Sequence, residues 1–286
     1  MKTATENINH LKSILNSKNH FNVRLGFTEV RILETWIKNN FSLDYISYLL
    51  LNDSEKHWLS CAGIFPLEEK ELVNILTTYF NILDFANKEN KENVSYSMTL
   101  QSDLFQNFIF KDNEKIHMDY LNVCRFPETF QPELENKKIC VVTPFPKSFE
   151  SQLGNLSKLF EDGRLKNLDP DNVSFVKSPP QKFISTKQEN PFDKWSDAVE
   201  YMKNEIDKKE YDVLLTGCGS FSLPLNHHAY VRGKTTLNMG GDLQLMFGVK
   251  GKRWKQEDYN FNEHWISPLS EEIPKDNYKV EGGAYW

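Results

Sequence analysis

Between Lys138 and about Lys250, short continuous apolar runs alternate with stretches whose apolar residues recur at helical spacing. No other feature constrains the chain as strongly. Residues 139–143 (Ile-Cys-Val-Val-Thr) read as a strand apolar on both faces, which must be covered on both faces. Pro144 and Pro146 break it, and Phe149, Leu153, Leu156 and Phe160 then mark a helix. Strands follow at 173–176, 213–215 and 235–237. Helices lie between and after them: Trp195, Ala198, Val199, Met202 and Ile206 mark one, a second begins near Ser220, and a third covers 242–247. The sequence therefore predicts βαβαβαβα, an α/β fold with a doubly wound, mostly parallel, Rossmann-like sheet flanked by helices.

Residues 1–137 form an N-terminal α/β half, and 138–286 a nucleotide-binding-like half, joined as two parts or as one continuous domain. Ile8, Leu11, Ile14 and Leu15 share a helical face. Phe21, Val23 and Leu25 alternate with Asn22 and Arg24 as in a half-buried strand ended by Gly26. Val30, Leu33, Trp36 and Ile37 predict one helix, and Leu72, Ile75, Leu76, Tyr79, Phe80 and Leu83 another, with Glu68 and Glu69 at its start. Val94, Tyr96 and Met98 predict a strand. Residues 114–136 carry no clear period; Arg125-Phe126-Pro127 and Gln131-Pro132 read as loop. So does 178–191, which is polar and reads as surface.

The aromatic content of 13% excludes disorder as a description of the whole chain. A net charge of −6 argues against nucleic acid as partner. No apolar run approaches the ~18 residues of a membrane helix, 45–51 being among the longest. The start of the chain lacks the apolar centre of a signal peptide. Cys61, Cys124, Cys140 and Cys218 are far apart in sequence, so disulfides and zinc knuckles are not expected. The compartment these features indicate is the cytoplasm, or its membrane-facing side.

Four places carry candidate chemistry. Thr216-Gly217-Cys218-Gly219-Ser220 joins a strand to a helix, where unpaired helix N–H groups suit a phosphate or diphosphate. Ser222 stands where a full dinucleotide fingerprint has a third glycine, and the same turn also serves as a plain connection. Asn238-Met239-Gly240-Gly241-Asp242 is a second such turn, with Asp242 either at the site or capping its helix. Lys250, Lys252 and Arg253, followed by Trp254, can neutralise a diphosphate or simply sit at a solvated helix end. Arg24-Leu25-Gly26-Phe27-Thr28-Glu29 places a carboxylate at a third junction, as a base, a metal ligand or a first-turn acid. Of His227 and His228, at most one is expected to face the site, since adjacent helical residues point apart. The segment Glu281-Gly282-Gly283-Ala284-Tyr285-Trp286 is expected to dock onto the body.

Leu214–Leu225, Asn238–Trp254, Arg24-Leu25-Gly26-x-x-Glu29, Ala62–Pro66, Val142–Phe145 and Glu281–Trp286 resemble a largely uncharacterised bacterial family. That family is similar to glycosyltransferases of the GT-D fold, which build cell-surface glycans from nucleotide-sugars. The resemblance implies a nucleotide-diphospho-sugar donor, a glycan or glycoconjugate acceptor, and a Mn or Mg ion held by an Asp-x-Glu pair. Here Glu29 is kept and Phe27 stands in the aspartate's place, with Lys250, Lys252 and Arg253 as a substitute source of positive charge.

The leading expectation is glycosyl transfer. Gly217, Gly219, Ser220, Gly240 and Gly241 present amides to the diphosphate, with Arg24, Gly26, His227, Lys250, Lys252 and Arg253 as further binding residues. Glu29 and Asp242 are the acidic catalytic residues, Glu29 also being the metal ligand. The alternatives are an NAD(P)-dependent oxidoreductase and a non-catalytic nucleotide-sugar or glycan-binding relative.

Overall fold

In the computed structural model, described here for residues 3–98, 114–126 and 133–286 (Met98, Glu114 and Asp258 by backbone alone), seven strands form one all-parallel sheet. They are β1 (His20–Val23), β2 (Val94–Met98), β3 (Glu114–His117), β4 (Ile139–Thr143), β5 (Val173–Lys177), β6 (Val213–Thr216) and β7 (Thr235–Asn238). Their spatial order is β3-β2-β1-β7-β6-β4-β5. Because β1 pairs with β7, the segments before and after residue 138 share this sheet. Of the loop readings near β3, Pro127, Gln131 and Pro132 lie outside the described residues.

Both faces are covered. Along β4, Cys140 and Val142 enter one apolar layer while Ile139 and Val141 enter the other. The first layer contains α2 (Phe27–Lys38), α3 (Leu43–Leu51), α4 (Asp53–Cys61), α5 (Glu69–Lys88), α7 (Trp195–Asp207) and α8 (Ser222–Tyr230). The second contains α1 (Ala4–Asn16), α6 (Pro146–Gln152) and α9 (Asp242–Met246). The continuous apolar runs arise from this double cover.

β1 departs from the half-buried reading, for all four of its residues are buried. The polar side of the strand meets polar partners rather than water: Asn22 Nδ2 donates to the Ser95 and Ser97 hydroxyls at 3.0 and 2.9 Å. The 178–191 segment is also not simply surface. Ser178, Pro179, Ile184 and Asn190 are buried. Asn190 Nδ2 donates to Pro180 O at 2.9 Å, and Lys182 Nζ donates to Asn190 O at 2.9 Å.

Leaving β4, the chain moves outward to β5; leaving β6, it moves the opposite way to β7. The following helices α6 and α8 lie on opposite faces. Their departure opens a crevice at the carboxyl edge, the place where open α/β sheets bind ligands.

Candidate functional site

A cavity of about 460 Å3 occupies that edge. Its wall takes residues from the ends of β1, β4, β5, β6 and β7, from 58–63, and from Arg253, Trp254, Tyr285 and Trp286. The volume lies in the range of small-molecule sites.

The β1 and β7 strands stop pairing before they end. Their ladder covers His20–Thr235 and Phe21–Thr236. Beyond it side chains bridge the gap: the Asn238 amide donates to Asn22 Oδ1 at 3.3 Å, and Asn238 Nδ2 donates to Arg24 O at 3.1 Å. The Arg24 guanidinium turns along the splayed edge, with Nη1 donating to Asn238 O at 3.2 Å. Gly240 sits directly beneath it, with φ +57°; a Cβ there would stand 2.7 Å from Arg24 Nη2. Both the backbone conformation and the neighbour demand glycine.

Glu29 is the third residue of α2 and is 5% exposed. Its carboxylate bends back over Gly26, occupying the place a Cβ would take. Burial pushes the Glu29 carboxyl up to about 7, against the opposing pull of its own amide and the Arg24 charge. Asp242 is also raised by burial, with Arg24 and Arg253 acting the other way. Its Oδ1 accepts from Asn122 Nδ2 at 2.9 Å, and Gly241 is the N-cap residue of α9. Asp242 is therefore a cavity carboxylate and not a helix cap. Asn122 falls in the stretch without a sequence period, so nothing in the sequence pointed to it.

The glycine turns do meet: a Cβ on Gly217 would stand 2.6 Å from Gly240 O. Yet the amides divide into two groups. Gly217 N donates to Val142 O at 3.0 Å and Gly240 N to Asn238 Oδ1 at 3.2 Å, so neither is open to a ligand. The amides of Gly219 and Gly241 donate to no protein group among the described residues. Ser220 belongs to the core: its amide donates to Ala62 O at 3.0 Å, and its hydroxyl accepts from Trp195 Nε1 at 2.9 Å.

The basic cluster is also split. Arg253 lines the cavity, its guanidinium 5.1 Å from the Tyr285 ring centre and 5.4 Å from that of Trp254. Lys250 turns to the Phe261 ring at 5.1 Å, and Lys252 is exposed beside Gly283; neither lines the cavity. His227 is likewise absent from the wall. It packs between Phe85 and Phe21, with ring centres 4.7 and 5.9 Å away, in the layer between α8, α5 and β1. A helix starting at the crevice carries its later turns away from it, which separates His227 from the glycines.

The start of α6, the other helix N-terminus at the switch point, is closed to an external anion by the protein's own carboxylate. Glu272 accepts from the amides of Lys147 at 2.8 Å and Ser148 at 2.9 Å, and from the Ser148 hydroxyl. Glu272 is followed by the docked segment 281–286, where Gln244 Nε2 donates to Tyr285 O at 3.0 Å and Arg253 N to Ala284 O at 3.0 Å. Tyr285, Glu281, Trp58 and Gln181 are wall residues that sequence reasoning did not single out individually.

The residues present do not form a protein cage for a divalent ion. Among the described residues no group of three or more His, Cys, Asp or Glu is arranged for one. Glu29 and Asp242 already interact with the Arg24 charge, and Asp242 with the Asn122 amide. Fold and cavity together define a doubly wound α/β protein with its candidate site at the carboxyl edge of the sheet. No family model, curated protein or solved structure matches the chain. No helix among the described residues is long and apolar enough to cross a membrane.

Proposed function

We propose that the chain is a glycosyltransferase that moves a sugar from a nucleotide-diphospho-sugar to a glycan or glycoconjugate hydroxyl. The observation that carries this reading is the convergence, in one cavity, of Arg24, Arg253 and two unpaired amides with a buried carboxyl whose pKa is about 7. Two guanidinium groups and the amides of Gly219 and Gly241 suit a diphosphate, which guanidinium binds through paired N–H donors. A carboxyl poised near neutrality suits proton removal from an alcohol.

In the reaction, the acceptor oxygen attacks the anomeric carbon while the bond from that carbon to the diphosphate oxygen breaks. Glu29 takes the acceptor proton. The departing diphosphate gains negative charge, and Arg24 and Arg253 stabilise it. Glu29 must be ionised to start the cycle, so turnover rises with pH through about 7.

The dinucleotide oxidoreductase alternative wants an acidic side chain at the end of the strand after the Gly-x-Gly turn, to hold a ribose. That strand, β7, ends in Asn238, whose side chain is engaged with Arg24 O and the Gly240 amide. The transferase reading is the stronger for that reason. Calorimetric titration with UDP-, GDP- and CMP-sugars, with and without Mn2+ or Mg2+, tests it. Binding of one donor, lost in Arg24→Ala, supports the reading; no heat from any donor in either condition overturns it. Donor binding without transfer to any acceptor would mark the non-catalytic relative.

A further inference from the structure

Part of the cavity wall is made of exposed aromatic side chains. Ten large apolar side chains are exposed among the described residues, and only two of them, Phe27 at 65% and Trp58 at 46%, line the cavity. They come from two different helices. α2 begins at the cavity with Phe27, whereas α4 (Asp53–Cys61) reaches it with Trp58 near its end. Arg31, one turn into α2, donates to both carboxylate oxygens of Glu55, a turn before Trp58 on α4. That forked ion pair ties the two helices together one turn away from Phe27 on α2 and one turn away from Trp58 on α4. Both aromatic side chains are exposed and line the cavity.

Two polar groups share this part of the wall. The Thr28 hydroxyl has no protein partner among the described residues. Gln181 Nε2 donates to Cys61 O at 3.3 Å, which anchors the side chain and leaves its Oε1 without a protein donor. An aromatic pair beside a hydroxyl and an amide oxygen matches a ring with an apolar C–H face and a hydroxyl rim, which is a pyranose. A nucleobase also stacks on aromatic faces and carries N–H and C=O groups, so uridine is the control that separates it from a pyranose. Glu29 and Phe27, both in the first turn of α2, line the same cavity, Phe27 exposed and Glu29 buried.

We infer that Phe27 and Trp58 form the acceptor subsite, a two-sided aromatic clamp that takes a pyranose ring of a glycan by stacking. This rests on the transferase reading for the word acceptor, but the clamp itself is a saccharide-binding site that needs no donor.

The tryptophans give a direct readout. Of six, Trp36, Trp195, Trp254, Trp265 and Trp286 are at most 8% exposed, so acrylamide quenching of the full chain reports mainly on Trp58. The protein is titrated without nucleotide against cellobiose, chitobiose and lactose, with uridine and sorbitol as controls. At least one disaccharide is expected to cut the quenching constant of the parent about twofold; followed by saturation-transfer NMR, binding of that disaccharide is expected to be lost in Trp58→Ala and kept in Trp58→Phe. Phe27→Ala is expected to weaken that binding roughly tenfold, as one lost aromatic contact would. Both side chains are exposed, so an unchanged melting temperature serves as the folding control. Protection by uridine alone, or by none of the disaccharides at millimolar concentration, overturns the clamp. A chain that binds a nucleotide-sugar but no disaccharide loses the clamp and keeps the transferase reading. A chain that binds a disaccharide but no nucleotide-sugar does the reverse.

Discussion

Replacing Glu29 with glutamine separates the chemistry of the cavity from its architecture. The buried Glu29 carboxyl titrates at about 7 in the folded chain, against 4.5 for the free group. The folded state therefore holds a proton that the unfolded state has released between those values. Stability contributed by the neutral carboxyl is complete below pH 4.5, is lost as pH rises through 7, and stays lost above. The gap between those two values corresponds to a penalty on the order of 3 kcal/mol for the ionised form at pH 8. Glutamine has nearly the same shape, its amide oxygen can still accept from the residue 29 backbone amide, and it carries no charge. Glu29→Gln should then be more stable than the parent at pH 8 by up to about 3 kcal/mol, or roughly 5–10 °C in melting temperature. The gain should vanish at pH 4. Comparing variant with parent at each pH cancels other titrations, among them buried His20, which is depressed to about 3 mainly by burial and destabilises the fold as pH falls below 6.5. Thermal melts of both proteins from pH 4 to 9 make the measurement. Equal melting temperatures at pH 8, or a less stable variant there, would refute the claim that Glu29 is held ionised at a cost. Under the transferase reading the same variant binds donor and transfers no sugar.

Other outcomes follow from single contacts. Gly240→Ala places a side chain on a left-handed residue and against Arg24, and should cost about 1–2 kcal/mol in stability while lowering donor affinity at least tenfold by calorimetry. Gly217→Ala meets backbone, Gly240 O, rather than a flexible chain, so its chemical-denaturation midpoint should fall further than that of Gly240→Ala. Glu272→Ala strips the start of α6 of its carboxylate partner; a loss of about 2–3 kcal/mol is expected in urea unfolding. Arg253→Ala, at the exposed side of the cavity, should weaken donor binding and reduce its salt dependence, with little change in melting temperature.

The covering of both sheet faces was legible in the chain because strands such as Ile139–Thr143 and Val213–Thr216 carry apolar residues at odd and even positions alike. Parallel pairing followed from the helices between them. Glycine at the ends of β6 and β7 marked the carboxyl edge, since those turns need close backbone approach. Local pattern could not say which amides stay unpaired. That depended on whether Val142, Thr216 or Ala62 offers a carbonyl from another strand or loop, which consumes the amides of Gly217, Gly240 and Ser220 and leaves those of Gly219 and Gly241. Nor could it separate Arg253 from Lys250 and Lys252, because three near neighbours on a turn project in different directions. Asn122, Trp58 and Tyr285 come to the cavity from remote parts of the chain, and His227 is carried away from it by its own helix. The sequence by itself determined most element types after residue 138 and the sheet edge where the cavity lies, for these depend on periodicity and turn chemistry within a few residues, while β3 at Glu114–His117 and the helices at Leu43–Leu51 and Asp53–Cys61 were not legible in it. Tertiary structure alone decided which polar groups face the cavity and how burial moves Glu29, for solvation and charge depend on everything packed around a group.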